Sequence, residues 1–333
     1  MSKIVMIVVA TALVLCLAVP ASLAAKPAKE LETGSECDLP VFKLSADLDG
    51  ESSLKGNPHG TPPGQDKPKP PDGGEEPTAN KWAVVVGIAD YQGRGNDLWH
   101  PDEDAKEMKE ALINKYGFPK DNIKTLLNRQ ATAQAIVDAI DWLATNEDAD
   151  STVVFFFSGH GFRVADGADG ADGEGWDDDF EKDGYDEGIV TYDLYGLPDG
   201  LSEDYVTLGN EFKNFESQKF ALIFGSCFSG GMFDDNDDLQ APGRVICSAC
   251  EAYQYGWDYL LLGNTLFGYY FVDEAILQGK ADGAEWYGLH TSGDKDGQVS
   301  MEEALAYAYP RVIAEEPDSQ PQIYDGFAGE LIP

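Results

Sequence analysis

Three uninterrupted apolar runs, at 82–88, 152–157 and 220–224, constrain this chain more than any other feature. None alternates apolar with polar residues, so each must be covered on both faces, as the strands of a parallel sheet are. Between the runs the period becomes that of amphipathic helices. One helix is predicted to begin at Pro101, with Asp102, Glu103 and Asp104 against the positive end of its dipole. It carries Ala105, Met108, Leu112 and Tyr116 on one face and ends at Gly117. A short strand at 123–127 follows, then a helix from Thr132 with Ile136, Ile140 and Leu143 inward. Farther on come a helix carrying Leu208, Phe212 and Phe215, a strand at 244–248 and a helix over 265–277. This β-α-β-α-β order predicts an α/β fold with a mostly parallel central sheet covered by helices.

The amino-terminal 24 residues read as Lys3, an apolar run over 4–19 and the small-residue stretch Pro20-Ala21-Ser22-Leu23-Ala24, which is the pattern of a signal peptide. The protein is therefore expected to be secreted, on the cell surface or periplasmic. An uncleaved amino-terminal segment would be its one route to a membrane. Residues 25–80 lack hydrophobic periodicity and are rich in Pro and Gly, as in Gly60-Thr61-Pro62-Pro63-Gly64, so they read as a disordered linker or pro-segment. With 60 Asp and Glu against 23 Lys and Arg, the formal charge of -37 repels nucleic acid and anionic membrane and favours cations as partners. Of the five cysteines, four lie outside the leader: Cys37, Cys227, Cys247 and Cys250. That is too few for a disulfide scaffold, and the Cys247/Cys250 pair lacks a second pair or a His cluster to complete a zinc site.

Two of the runs end in glycine-rich turns that carry reactive side chains. Phe155-Phe156-Phe157 leads into Ser158-Gly159-His160-Gly161, and Leu222-Ile223-Phe224 leads into Gly225-Ser226-Cys227-Phe228-Ser229-Gly230-Gly231. Open α/β sheets place ligands beyond the carboxyl ends of their strands. If the two strands are neighbours, His160 and Cys227 face one cleft as a base and a nucleophile. The backbone amides of Gly161 and Cys227 are then the expected donors to an oxyanion.

Together with Val86-Gly87-Ile88-Ala89-Asp90-Tyr91, Asp102-Glu103-Asp104-Ala105 and Asp183-Gly184-Tyr185-Asp186-Glu187, these motifs resemble the caspase-like cysteine peptidases of the caspase, metacaspase and legumain clan. The likeness is above all to prokaryotic caspase homologues and metacaspase-type proteins, and it covers about residues 81–280. It implies a caspase-like three-layer α/β/α sandwich over 81–290, with an acidic insertion at 165–187. It also implies hydrolysis of protein or peptide substrates through a Cys227–His160 dyad and an acyl-enzyme, with no organic cofactor.

Some positions depart from that family. Metacaspases specific for Arg or Lys carry an Asp two residues before the nucleophile, where this chain has Gly225, and Ala252 stands where another Asp is common. Asp258, with Glu251 nearby, is left to bind a basic P1 side chain, while Arg163 and Arg244 keep an acidic P1 open. The resemblance further implies Ca²⁺ near the acidic insertion without fixing its ligands; Asp183, Asp186 and Glu187 are the candidates there, and a solvated loop is the alternative. Residues 291–333 read as a degenerate EF-hand-like loop, a helix stopped by Pro310 and a tail. With Gly297 at the turn, Asp294, Asp296, the Gln298 carbonyl, Ser300 and Glu303 fall at ligand offsets, and an Asx turn with a helix cap is the alternative. Two other functions compete: an inactive caspase-like domain that binds partners with Ca²⁺, and a legumain-type peptide ligase.

Overall fold

The computed structural model describes residues 26–27, 80–165, 184–194, 196–199, 206–234, 239–286, 293 and 295–333. In chain order the strands are β1 (Lys26–Pro27), β2 (Lys81–Gly87), β3 (Ile123–Leu127), β4 (Thr152–Ser158), β5 (Gly161–Ala165), β6 (Tyr185–Val190), β7 (Gly196–Pro198), β8 (Phe220–Gly225), β9 (Arg244–Ser248), β10 (Trp257–Asp258) and β11 (Gln322–Asp325). The helices are α1 (Pro101–Asn114), α2 (Ala133–Asn146), α3 (Leu208–Phe212), α4 (Leu266–Gly268), which runs on as a π-helix over Tyr269–Leu277, and α5 (Met301–Glu315). None of the helices among the described residues is long and apolar enough to cross a membrane.

Six strands form the central sheet in the order β11-β9-β8-β4-β2-β3. All neighbours are parallel except β11, which runs antiparallel along β9. Because side chains alternate across a strand, each apolar run feeds two cores. Val84, Val86, Phe155, Phe157, Leu222 and Phe224 pack toward α2 and α3, whereas Ala83, Val85, Val154, Phe156, Ala221 and Ile223 pack toward α1, the π-helix and α5. The result is the three-layer α/β/α sandwich with a mostly parallel sheet that the sequence implied. A second, antiparallel sheet of order β5-β6-β7 leads off from the end of β4.

Three details differ from the sequence expectation. Pro310 does not stop the last helix, which continues through it to Glu315. A proline ring inside a helix removes one hydrogen bond and crowds the preceding turn. Here that cost is offset by a buried face of Met301, Ala304, Leu305, Ala308 and Val312. The segment beyond residue 300 also contributes α5 and the edge strand β11 to the sandwich, and Glu302 holds the Leu331 N–H at 3.0 Å. The helix expected around Leu208, Phe212 and Phe215 has only five residues; Phe215 lies past its end and stacks on Phe220 at 5.0 Å.

Candidate active site

Strands β4 and β8 lie side by side with Ser158 opposite Gly225. His160 and Cys227 each stand two residues farther along, so the sheet carries both to the same carboxyl end. Their backbones touch there: a Cβ on Gly161 would fall 2.0 Å from the Cys227 carbonyl oxygen. Glycine is required at 161 by this close approach. The two residues expected to donate to an oxyanion are thus neighbours.

The imidazole has a defined tautomer. Nε2 of His160 lies 2.8 Å from the carbonyl oxygen of Asn96. A carbonyl only accepts, so Nε2 carries the proton and Nδ1 keeps the lone pair that can take a proton from a thiol. Asn96 contributes through its main chain and left no side-chain signal in the sequence. Cys227 Sγ lies 3.8 Å from the Gly256 carbonyl. The next residue, Phe228, is held at φ 58, a left-handed conformation that costs a bulky residue about 1–2 kcal/mol. Its N–H donates to the Gln254 carbonyl at 2.9 Å and its ring packs edge-on against Tyr255 at 5.3 Å, which fixes the turn. Ser229 ties the same turn down, donating to Ser226 O at 2.8 Å and accepting from Ala249 N at 3.2 Å.

The other described cysteines are unsuited to attack. Burial pushes the Cys250 thiol up to about 12 and raises Cys247 well above the ordinary thiol range. None of Cys227, Cys247 and Cys250 is in a disulfide.

Beside the dyad a small open recess is lined by Gly159, Gly225, Ser226, Gly256 and Asp258. Asp258 is 1% exposed, and its carboxylate accepts the Trp99 N–H. Glu251 does not reach the lining; its amide donates to Gln254 Oε1 at 3.3 Å. Arg244 lies at the far, amino end of β9, where its guanidinium donates to the carbonyls of Leu239 and Phe212 at 2.7 and 2.6 Å. Arg163 is stacked between the rings of Tyr185 and Phe228, 4.6 and 4.8 Å from their centroids.

Behind the recess Asp104 is fully buried and accepts from Ser158 Oγ, Thr265 Oγ1 and Thr265 N at 2.7, 2.7 and 3.1 Å. It thereby links α1, the end of β4 and the cap of α4. Sequence reasoning gave it only a place in the first turn of a helix. Burial raises its pKa to about 7, and Glu211 and Glu302 are raised likewise, so the folded chain binds more protons than the unfolded chain between their ordinary values and about 7. Stability contributed at these groups is therefore present at the acid end of that window and falls as pH rises through it. The melting temperature is expected to be higher at about pH 5.5 than at about pH 7.5 by several degrees. Calorimetry at both pH values checks this, and a higher value at the alkaline end would contradict it.

The proposed cation ligands are distributed differently from one another. Asp183 and Asp294 lie outside the described residues. Asp186 and Glu187 are fully buried on β6, where consecutive side chains point to opposite faces. A Cβ on Gly231 would meet Glu187 Oε2 at 2.1 Å, which places that carboxylate against the loop after Cys227. Asp296 accepts from the Gln298 N–H at 2.8 Å. Ser300 and Glu303 form a reciprocal cap on α5: Ser300 Oγ accepts from Glu303 N at 3.1 Å, and Glu303 accepts from Ser300 N at 3.0 Å and from Gly283 N at 2.7 Å. Among the described residues no group of three or more His, Cys, Asp or Glu side chains is disposed to hold a metal ion.

Strand β10 carries a further strand. Lys26 and Pro27 pair antiparallel with Asp258 and Trp257.

Residues 80–308 match the family model of the caspase domain. Among curated proteins the chain is similar to metacaspase-1 of Candida albicans, 28% identical over 278 residues that make up 72% of this chain and 59% of that one. It is also similar to metacaspase-4 of Arabidopsis thaliana, 29% identical over 229 residues, 67% of this chain and 49% of that one. The chain thus spans about half the length of these relatives. A crystal structure of a Geobacter sulfurreducens protein shares the fold, with a TM-score of 0.50 and 18% identity over 76% of this chain and 97% of that one. Motif, strand order and family match agree: the chain belongs to the caspase-domain family of cysteine peptidases.

Proposed function

We propose that this protein is an exported cysteine endopeptidase in which Cys227 is the nucleophile and His160 the acid and base. The observation that carries the reading is the parallel register of Ser158 with Gly225, which delivers both side chains to one end of the sheet. As Sγ attacks the scissile carbonyl carbon, its proton passes to Nδ1 of His160 and the carbonyl electron pair moves to oxygen, toward the amides of Gly161 and Cys227. Collapse breaks the C–N bond while the imidazolium protonates the leaving amine. Nδ1 then deprotonates a water that attacks the thioester and releases the Cys227 thiolate.

The peptide is expected to lie along β10. Its edge accepts an antiparallel strand, as the pairing with Lys26 and Pro27 illustrates. A basic P1 side chain would enter the recess toward Asp258, whose carboxylate takes the place of the missing Asp at Gly225. Residues 1–24 are the proposed export signal. Mass spectrometry of a peptide with P1 Arg after incubation with the purified protein tests the reading. Two hydrolysis fragments are expected, and a joined peptide would instead indicate a ligase.

Calcium belongs to the proposal as a regulator. The resemblance to metacaspase-type enzymes is what supports it, since Asp186 and Glu187 point to opposite faces of β6 and do not by themselves form a site. No step of the reaction requires the ion. Activity measured with Ca²⁺ and again after chelation is expected to differ several-fold, and Asp186→Asn is expected to abolish the difference. Equal rates in Ca²⁺ and chelator would remove calcium from the account.

A further inference from the structure

His160 is gripped by a residue to which the reaction above gives no role. Tyr91 is 2% exposed, and its hydroxyl accepts the His160 N–H at 2.7 Å and donates to the Val190 carbonyl at 3.3 Å. Val190 in turn donates its N–H to the His160 carbonyl at 2.9 Å, so the three residues close a ring of hydrogen bonds around the catalytic turn. The phenol ring also packs on the imidazole, with centroids 4.7 Å apart and planes at 47°. The preceding Gly159 is fitted to this contact, because a Cβ there would fall 2.5 Å from the tyrosine hydroxyl.

The loop that carries Tyr91 is itself fixed. Tyr91 N donates to Asp97 Oδ1 at 3.3 Å, Gln92 N to Tyr192 O at 3.1 Å and Leu98 N to Ala89 O at 2.8 Å. The same loop supplies Asn96, whose carbonyl holds Nε2. One loop therefore fixes the imidazole by its main chain, its ring face and its Nε2 proton.

We propose that Tyr91 is the positioning residue of the dyad, with two separable parts; this rests on the Cys227–His160 reading. The hydroxyl fixes the backbone of His160 and so the aim of Nδ1. The ring face, electron-rich and in contact with the imidazole, stabilises the imidazolium that forms when Cys227 gives up its proton. The other ionisable groups on this contact are the Asp97 carboxylate, on the same loop, and the Cys227 thiol itself.

Tyr91→Phe and Tyr91→Leu in the full chain separate the two parts. Tyr91→Phe keeps the ring and leaves the His160 N–H without its acceptor. It is expected to lower kcat about tenfold with KM unchanged, the rate being counted per Cys227 that iodoacetamide can alkylate. Tyr91→Leu removes the ring and is expected to move the onset of Cys227 alkylation up by about half a pH unit, whereas Tyr91→Phe leaves that onset where it is. Alkylation needs no peptide, so it reads the dyad independently of substrate preference. A wild-type thiol that reacts only in the ordinary thiol range would overturn the dyad and this proposal together. A wild-type thiol reactive at low pH, with full kcat in Tyr91→Phe or an unmoved onset in a folded Tyr91→Leu, would overturn this proposal alone.

Discussion

Replacing either Cys227 or His160 with alanine is expected to lower kcat by about 10⁴-fold or more, with the double variant scarcely worse than either single one. The non-additivity follows from the chemistry, since neither member has an independent role. Without the imidazole the thiol loses the base proposed to take its proton, and without sulfur there is nothing to acylate. The variants should remain folded. Cys227 lies in a turn held by Ser226, Ser229 and Gln254, and the His160 turn is held by Val190 and Tyr91. Steady-state rates of the three variants check this, with melting curves as the control for folding. Retained hydrolysis in Cys227→Ala would assign the activity to another nucleophile.

The second large effect is expected at Asp258. Its carboxylate is buried beside the recess, so a P1 guanidinium entering there meets it with little screening by water. Removing one partner of such a pair costs about 2–5 kcal/mol, against less than about 1 for an exposed pair. Asp258→Ala should therefore lower kcat/KM for P1 Arg peptides by about 100-fold and change P1 Ala peptides little. Measuring both substrates on both proteins decides it. A wild-type preference for P1 Asp would instead point to Arg163, the arginine stacked on Phe228 beside the nucleophile.

The central sheet was legible because parallel strands buried on both faces leave short continuous apolar runs. Runs at 82–88, 152–157 and 220–224 became β2, β4 and β8, whereas their adjacency in the order β8-β4-β2 was a condition that only the structure met. Pro310 misled because a local rule, that proline ends a helix, gave way to the packing of one buried face, which is visible only once the neighbours are known. Glu303 read as a calcium ligand or part of a helix cap, and it caps α5; Glu302, to which the sequence gave no role, holds Leu331.

At the site, His160 and Cys227 announced themselves through glycine-flanked motifs at strand ends. Their supports did not. The Asn96 carbonyl is a main-chain atom that any residue could supply, and its place depends on loop closure. Asp104 looked like one of three acids at a helix start; what singles it out is burial against Ser158 and Thr265, residues far away in sequence. Tyr91 stood in a recognised stretch, but its bond to His160 crosses from the end of β2 to the end of β4.

The most direct test of the account is covalent trapping. The full chain is treated with a peptidyl chloromethyl ketone bearing Arg at P1, and its mass and the labelled fragment are determined. One adduct per chain on Cys227, suppressed in His160→Ala, is the result the account predicts. Labelling of another residue, or an adduct on Cys227 that forms equally fast without His160, would contradict it.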